Sequence, residues 1–480
     1  MNIRLRPAVI WLVCFLAIPQ IVLGASIKKK EDAVASIERH KAEITALSDE
    51  VWALAETALL ETRSAKLLAD YAEKQGFKVE RGLAGLPTAF VASYGEGRPI
   101  IGVLGEYDAL PGLSQKVQPD KEVLQAGAAG QGCGHNLLGT AALSAALAIK
   151  DLMAAGKLKG TIRFYGTPAE EAVGGKVFMV REGQFKDLDV CLTWHPGQET
   201  LVSVDGSQAI IDFIVEFKGK TAHAAADPWD GRSAVSALEL FTTALNRMRE
   251  FVKPTVRMHY TILNGGDVPN VVPAYARLWC WLRDSKGAGV QQLMERARRI
   301  AEGAALMADV ESKITINAGD WETLVNVTGA KVMYRNMTWL GPIAFTAEEQ
   351  EFARKIQRAT GVEPKGLDGA LKPWADPKPD PDGGSTDVGD VSWVVPIVSM
   401  SATTAPADAP WHAWPVVACS GMSIGHKALV YAAKVLATTM VDFYEDAKTL
   451  AAVRAEFQEK TKGVTYTPFI PDGPPSLIKR

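Results

Sequence analysis

The sequence predicts an α/β protein whose mixed, mostly parallel sheet carries a second, inserted ferredoxin-like α+β domain. Strand-like and helix-like runs alternate after residue 33, a pattern typical of parallel sheets. A different order begins near residue 209. The 480 residues, of which 47% are hydrophobic, also exceed what one domain normally needs. These three observations together predict two domains.

The first domain is expected to begin with apolar strands around an Ala- and Leu-rich helix. The predicted strands cover residues 99–104, 161–165 and 190–193, and the helix covers 137–155. The candidate functional residues follow these strands closely. In open α/β sheets, the carboxyl ends of the strands are where binding sites form.

The inserted segment reads strand, helix, strand, strand, helix, strand, which is the ferredoxin-like order. Its predicted strands are 210–218, 256–263, 274–282 and 311–316, and its predicted helices are 232–251 and 290–307. Regular segments resume at 330–340, 348–358 and 424–441. We therefore expect a discontinuous metal-binding catalytic domain at 26–208 and 328–480, with 209–327 inserted.

The N-terminal residues 1–25 have the features of a secretory signal peptide. Arg4 and Arg6 precede an apolar run over 7–23, and the small residues Gly24 and Ala25 follow it as the expected cleavage region. The alternative is an uncleaved membrane anchor, although the run is short and interrupted by Pro19. The sequence therefore predicts an exported protein, periplasmic or secreted, or a membrane-anchored one if cleavage does not occur.

Charge and cysteine content narrow the function further. A net charge of −3 without a basic stripe gives no footprint for nucleic acid, so we expect a small-molecule substrate. Four cysteines follow the signal segment, and their wide spacing argues against a disulfide framework. We expect Cys191, Cys280 and Cys419 to be buried as small apolar side chains, whereas Cys133 lies beside a histidine.

The most informative residues are thiolate, imidazole and carboxylate side chains at strand ends or Gly/Pro turns. They are Cys133 and His135 in Gly-Cys-Gly-His, the pair Glu170-Glu171, His195 after Trp194, and His412 in Pro-Trp-His-Ala-Trp. Together they offer the ligands of a metal-dependent hydrolase and one carboxylate to spare. Taken singly, each has a structural explanation, since a buried Cys, a core His or a solvated acidic pair is common.

Adjacent carboxylates diverge, so one can bind metal while the other reaches the attacking water. We assign Glu171 as a ligand and Glu170 as the general base and then acid. His426 competes with His412 but falls inside a predicted helix, so we give His426 a structural role. His223 ends the first inserted strand and is a candidate hydrogen-bond donor to the oxyanion, or an ordinary surface histidine.

Long motifs in the same order resemble the M20 metallopeptidases, in their amidohydrolase branch and closest to the group of the B-type p-aminobenzoyl-glutamate hydrolases. The motifs are Gly-Glu-Tyr-Asp-Ala-Leu at 105–110, Gly-Cys-Gly-His-Asn-Leu-Leu-Gly-Thr at 132–140, Thr-Trp-His-Pro at 193–196 and Ser-Thr-Asp-Val-Gly-Asp-Val-Ser-Trp at 385–393. The resemblance covers the chain after the signal segment.

This resemblance implies a two-metal hydrolase whose inserted domain acts as a lid and dimer interface. The positions that match the family's metal ligands are Cys133, His135, Glu171, His195 and His412, and Glu170 matches its catalytic carboxylate. His223 matches a histidine that the partner chain supplies, and Asn270 a lid residue that binds substrate. The ligand types suit Zn²⁺ or Mn²⁺.

The chain departs from the wider family at the first ligand. The usual pattern has a ligand His two residues before an Asp, whereas this chain has Glu106 before Asp108. The resemblance implies that Cys133 replaces that ligand. Asp108 is then expected to orient a ligand imidazole, and the role of Glu106 stays open.

The implied reaction is cleavage of the amide bond of p-aminobenzoyl-glutamate or a related N-acyl amino acid by metal-activated water. Arg283 and Arg232 are candidates for the α-carboxylate, or members of structural ion pairs. Tryptophans near the C-terminal motifs either line an aryl pocket or belong to the core; they are Trp374, Trp393, Trp411 and Trp414. The alternatives are a dipeptidase or aminoacylase, a secreted binding protein without turnover, or one chain of a hetero-oligomer.

A Pro- and Asp-rich stretch at 373–384 cannot pack a core and is predicted to be a surface loop, with a place over the site as one option.

Overall fold

The computed structural model describes residues 14–381, 383–475 and 477, so residues 1–13 of the predicted signal segment lie outside the described residues. The helices are α1 (Cys14–Leu54), α2 (Thr62–Lys74), α3 (His135–Ala154), α4 (Gly175–Arg181), α5 (Ala234–Met248), α6 (Gly287–Ala308), α7 (Val327–Leu340), α8 (Ala347–Ala359), α9 (Val388–Ser392), α10 (Trp414–Ser420), α11 (Ser423–Glu445) and α12 (Ala447–Thr461). The strands are β1 (Lys78–Arg81), β2 (Phe90–Glu96), β3 (Ile100–Gly105), β4 (Gly160–Gly166), β5 (Val190–Gly197), β6 (Leu201–Val202), β7 (Ala209–Lys218), β8 (Arg257–Asn264), β9 (Tyr275–Asp284), β10 (Glu311–Asp320) and β11 (Ile397–Thr403).

The larger sheet has the order β1-β2-β4-β3-β5-β11-β6, with its four central strands parallel. Antiparallel pairs lie toward the edges of this sheet, where β1 pairs with β2, β2 with β4, and β6 with β11. Helix α3 is apolar on every side because it packs against this sheet on one face and against α1 and α11 on the other. The predicted mixed, mostly parallel sheet is therefore confirmed.

The smaller sheet is antiparallel with the order β10-β7-β9-β8, and α5 and α6 cover one face. Strand β9 alternates between partly buried and buried residues because one face meets these helices. Both the ferredoxin-like order and the positions of its six elements match the prediction.

Several strands were not predicted from the sequence, most of them short and at the sheet edges, where patterns are brief. Central strand β11 was also missed, because its apolar run follows Pro396 and is too short to tell strand from helix. Strand β11 also changes the interpretation of β5. Ser401 pairs with His195, so His195 lies within β5 rather than after it.

The C-terminal segment after α12 joins the two domains. Tyr466 donates a hydrogen bond to Asp390 Oδ1 at 2.6 Å in the catalytic part. The Trp321 indole, just after β10, donates to the Thr467 carbonyl at 2.8 Å and stacks on Phe469 at 5.4 Å between ring centroids. These contacts hold the inserted sheet over the carboxyl ends of the central strands.

Candidate metal centre

The candidate ligands meet where the central strands of the large sheet end. Glu106 and Asp108 follow β3, Glu170 and Glu171 follow β4, and His195 lies near the end of β5. Cys133 and His135 precede and begin α3, and His412 lies just before α10. The sheet therefore brings together residues that are hundreds of positions apart.

The Gly-Cys-Gly-His turn needs its second glycine. Gly134 has a φ of 79°, in the left-handed region, and an added Cβ there would lie 3.1 Å from the Pro196 ring. This geometry turns the chain sharply into α3. Cys133 and His135, two residues apart, can consequently face the same point.

Three sets of donor atoms each lie within 4.8 Å of one another: Cys133, His135 and His195; Cys133, Glu171 and His412; and Glu106, His135 and Glu170. Cys133 Sγ is 3.4 Å from His195 Nε2, and His412 Nε2 is 3.6 Å from Glu171 Oε1. Since Cys133 and His135 each belong to two sets, the cluster has the form of a site for two neighbouring cations.

Outer contacts fix the imidazoles. Asp108 Oδ1 lies 2.9 Å from His135 Nδ1, and Asp108 Oδ2 accepts a hydrogen bond from the Glu171 backbone N–H at 3.0 Å. His195 Nδ1 lies 2.6 Å from the Pro196 carbonyl, so it carries the proton and leaves Nε2 free. Each of these two His residues therefore directs its Nε2 toward the cluster.

Buried polar atoms in the cluster have no hydrogen-bond partner among the described residues. They are Glu106 Oε2, His135 Nε2 and Glu171 Oε1. Five carboxylates gather here, those of Glu106, Asp108, Glu170, Glu171 and Asp387, and the one ammonium that contacts them in the described part of the chain is that of Lys176. Buried carboxylates in excess, together with ligand atoms that have no hydrogen-bond partner, fit a site for divalent cations.

The pKa values of the acidic groups in the cluster are shifted because these groups are buried close together. Burial raises the pKa of Glu170 well above its usual range, and Glu106 and Glu171 add to the rise. Burial raises the pKa of Glu171 to about 7 and that of the Cys133 thiol to about 12. Without cations, this pocket therefore favours protonated acids, whereas bound cations favour the ionised ligands.

The turn that carries the acidic pair is held by a carboxylate that was not predicted from the sequence. Glu61 Oε1 accepts a hydrogen bond from the Ala169 backbone N–H at 2.9 Å, and Thr88 donates to its other oxygen at 3.2 Å. Ala169 has a φ of 61°, which is uncommon for a residue with a side chain. Glu61 thus stabilises the conformation that separates Glu170 from Glu171. Its position before α2 gives no sequence motif.

A buried lysine was also missed. Lys176 is fully buried in α4, and its ammonium lies 2.6 Å from both Glu106 Oε1 and Asp387 Oδ1. Asp387 Oδ2 also accepts from the Lys176 backbone N–H at 2.9 Å. A fully buried Lys without such partners would be costly, so the two carboxylates explain its presence. Spacing alone gave no signal, because Asp387 is far along the chain.

A cleft of about 700 Å³ separates the cluster from the inserted sheet. Cys133, Glu170, Glu171, His195 and His412 line one wall; Asp212, Trp281, Arg283 and Asp320 line the other. Trp411 also lines it, with its ring 6.3 Å from that of His195. Gly384, the last residue of the predicted surface loop, also lines the cleft, together with Ser385 and Thr386 after it.

Two predicted residues lie away from this cleft. His223 and Asn270 are adjacent on the inserted domain, where the Ala224 N–H donates to the Asn270 carbonyl at 3.0 Å. His223 Nδ1 accepts from the Ala225 and Ala226 N–H groups, so Nε2 carries the proton. Within one chain, neither residue lines the cleft.

Other candidates have structural partners. Arg232 forms an ion pair with Asp309 and does not line the cleft. His426 lies in α11 with Nε2 2.8 Å from Asp49 Oδ1. Trp393 packs on Trp321, whereas Trp374 and Trp414 are partly buried and pack against core clusters outside the cleft. Cys191, Cys280 and Cys419 are buried and free, as predicted.

Comparison with known proteins agrees with this geometry. Residues 206–307 match the model of the peptidase dimerisation domain of M20 peptidases. The chain is 38% identical to the B-type chain of the p-aminobenzoyl-glutamate hydrolase of Escherichia coli, over 92% of this chain and 98% of that protein. Mouse Xaa-Arg dipeptidase is 30% identical over 90% of this chain and 92% of its own length.

Among solved structures, the Bacillus subtilis YXEP protein, a dinuclear metal-binding M20 peptidase, aligns with a TM-score of 0.60 at 18% identity. The alignment covers 85% of this chain and 99% of that one, and it supports the fold. Both the sequence relatives and the ligand cluster point to the same chemistry. The chain therefore belongs to the M20 peptidase family, and it is a metal-dependent hydrolase of amide bonds on the branch of the B-type p-aminobenzoyl-glutamate hydrolases.

Proposed function

We propose that this enzyme hydrolyses the amide bond of p-aminobenzoyl-glutamate or a closely related N-acyl amino acid. One observation carries this proposal beyond the family: the metal-ligand cluster and Glu170 share a cleft with Arg283 and aromatic side chains. A substrate with an aryl acyl group and an α-carboxylate has both features to match. The relative with 38% identity acts on such a compound by its name.

In the proposed reaction, one set of residues binds the cations and Glu170 transfers the proton. Bound divalent cations, held by the predicted ligands, would lower the pKa of a water and polarise the amide carbonyl. Glu170 accepts a proton from the attacking water on its carboxylate and donates it to the leaving amine nitrogen as the C–N bond breaks.

We infer Zn²⁺ or Mn²⁺ as the cations. The imidazole and carboxylate donors suit both ions, and the Cys133 thiolate favours the softer Zn²⁺.

The direct test is a hydrolysis assay on the purified chain after metal removal and after addition of Mn²⁺ or Zn²⁺. The panel contains p-aminobenzoyl-glutamate, other N-acyl amino acids and dipeptides. We expect metal-restored cleavage of the aryl amide. Cleavage of other members alone would retain the mechanism and reject this substrate, and no cleavage would favour a binding protein or a chain that needs a related partner chain.

A second candidate is a dipeptidase that accepts basic residues. Asp212 and Asp320 line the cleft beside Arg283, and carboxylates there would bind a cationic side chain. The 30% identical relative is named an Xaa-Arg dipeptidase. Dipeptides that end in Arg therefore belong in the same panel.

Arg283 is the side chain we propose for the substrate α-carboxylate. Its Nε is buried without a hydrogen-bond partner among the described residues, and its guanidinium lies 5.3 Å from the Trp281 ring. We expect Arg283→Met to raise KM by about 10- to 100-fold with little change in kcat, since a charge-assisted pair contributes roughly 1.5–3 kcal/mol. Steady-state kinetics measure this effect with two substrates, p-aminobenzoyl-glutamate and its derivative in which the α-carboxylate is a methyl amide.

Arg232→Met is the matched control, because Arg232 pairs with Asp309 outside the cleft. An equal rise in KM for both variants, or none for Arg283→Met, would reject the assignment. Loss of affinity for the methyl amide as well would show a packing effect instead of carboxylate binding.

We propose a homodimer in which each chain completes its partner's site with His223 and Asn270. Strand β8 is an edge strand, and Ile262, Val268 and Val271 are exposed on it and on the following loop. Exposed apolar residues on a sheet edge are typical of an interface. His223, with its Nε2 proton, would donate to the carbonyl oxygen in the partner's cleft. A related chain in place of the second copy is the alternative, since the E. coli relative is named as one of two subunits of its hydrolase.

Mixed dimers test this arrangement. His223→Ala and Glu170→Gln chains, each with its own tag, should be inactive alone. Co-expressed and purified through both tags, they should regain about half of the wild-type activity per dimer, because one of the two sites is then intact. A mixed dimer as inactive as its parents would place His223 in its own chain's site, and a fully active His223→Ala parent would place it outside catalysis.

We also propose that the chain is exported and cleaved near Gly24 or Ala25. The two arginines and the apolar run of residues 1–25 support this. Intact mass of the protein from the periplasm or medium should match a chain that begins at residue 25 or 26. Full-length protein in the membrane fraction would favour the anchor instead.

A further inference from the structure

Glu106 faces the metal centre although it is not one of the five predicted ligands. Its side chain is 2% exposed, and its Oε2 lies 3.2 Å from His135 Nε2. Neither atom has a hydrogen-bond partner among the described residues. Glu106 Oε2, His135 Nε2 and a Glu170 oxygen all lie within 4.8 Å of one another. Two buried polar atoms are thus aimed at one point.

The side chains around this point favour a bound cation. Asp108 Oδ1 lies 2.9 Å from His135 Nδ1 and accepts a hydrogen bond from it, which leaves Nε2 as the nitrogen available to an ion. His135 Nε2 is the ring nitrogen that faces Glu106 Oε2, 3.2 Å away. These two atoms and a Glu170 oxygen surround one point, where a positive charge would satisfy all three.

The spacing also suits coordination. Nitrogen and oxygen ligands lie about 2.0–2.2 Å from Zn²⁺, so two ligands of one ion at angles of roughly 90–110° are about 2.8–3.6 Å apart. The 3.2 Å between Glu106 Oε2 and His135 Nε2 falls in this range. The atoms satisfy the distance for shared coordination.

The ammonium of Lys176 contacts Glu106 on the side away from His135 and holds the carboxylate in this orientation. Lys176 Nζ lies 2.6 Å from Glu106 Oε1, which leaves Oε2 as the free oxygen. Asp387 clamps Lys176 through both its ammonium and its backbone N–H, at 2.6 and 2.9 Å. The carboxylates of Glu106 and Asp387 share this one ammonium, so the three groups together carry a net charge of −1. Glu106 Oε2 is the oxygen of this group that faces His135.

We propose that Glu106 is a sixth protein ligand of the metal centre, through Oε2, and that Lys176 is the residue that positions it. This proposal rests on the metal centre of the proposed function, and not on the identity of the substrate. The position that carries a His in the wider family pattern thus carries a carboxylate ligand here, in addition to Cys133.

The test is calorimetric titration of the metal-free protein with Mn²⁺ in the absence of substrate. The wild-type chain should bind two ions. Glu106→Gln keeps the shape and removes the charge, and we expect one of the two sites to weaken at least about 100-fold, beyond the range for loss of an outer contact. Lys176→Met should weaken the same site, by about 10- to 100-fold.

Glu322→Gln is the matched control, because Glu322 is a buried carboxylate that accepts from Gly287 N–H away from the centre. Two Mn²⁺ ions bound by Glu106→Gln with wild-type affinity, or an effect no larger than that of Glu322→Gln, would overturn the proposal. A wild-type chain that binds no ion would overturn it as well. Metal binding without hydrolysis of p-aminobenzoyl-glutamate would count against the substrate alone.

If Glu106→Gln does not fold, crystals of the wild-type protein soaked in Mn²⁺ decide the matter by anomalous scattering. A Glu106 oxygen within about 2.2 Å of an ion supports the proposal. An ion bound by the other ligands with Glu106 more than about 3 Å away rejects it.

Discussion

Glu170→Gln is expected to lower kcat by about 10²- to 10⁴-fold, the usual contribution of a positioned general base. The amide has the shape of the carboxylate but cannot accept the proton of water or return it to the leaving amine. Glu171 N–H stays bound to Asp108 and the turn stays held by Glu61, so the ligand geometry should survive. Steady-state kinetics and elemental analysis of the same sample measure rate and metal content together.

Glu363→Gln is a suitable control, because this Glu is 76% exposed on the surface. It should retain the wild-type rate. A Glu170→Gln enzyme with near-normal kcat would remove Glu170 from proton transfer, and one that has lost its metal would show that Glu170 is mainly a ligand.

Removal of the metal is expected to abolish hydrolysis and to destabilise the fold. Without cations, Glu106 Oε2, His135 Nε2 and Glu171 Oε1 remain buried with no hydrogen-bond partner among the described residues. Two ions, each present at roughly 100 times its Kd, would stabilise the folded chain by about 5 kcal/mol in total. Thermal unfolding of the chelated and reloaded protein should therefore show a clearly lower Tm for the chelated form.

Addition of Mn²⁺ or Zn²⁺ should restore both the Tm and the rate. The control is the same chelator already saturated with metal, which should change neither quantity. Full activity in protein shown by elemental analysis to be metal-free would contradict a metal-dependent mechanism for this chain.

Much of the fold was predictable because its signals are local. The ferredoxin-like order of the inserted domain follows from strand and helix patterns at 209–320, and each element there formed as expected. Edge strands β1 and β6 were missed because they are short, β2 because its second half is not buried, and β11 because an apolar run after Pro396 fits strand or helix. Only pairing with β5 makes it a strand.

Some residues of the candidate site could likewise be predicted from local motifs, and others could not. The sequence by itself determined which chemical groups are present, because Gly-Cys-Gly-His, Glu-Glu and Trp-His-Pro are local motifs. It could not reveal Glu61, Lys176 or Asp387, which act through contacts 108, 70 and 211 residues away in the chain. Such partners have no spacing to recognise. Tertiary structure alone decided which buried charges meet, since charge pairing depends on distance in space and not on order along the chain.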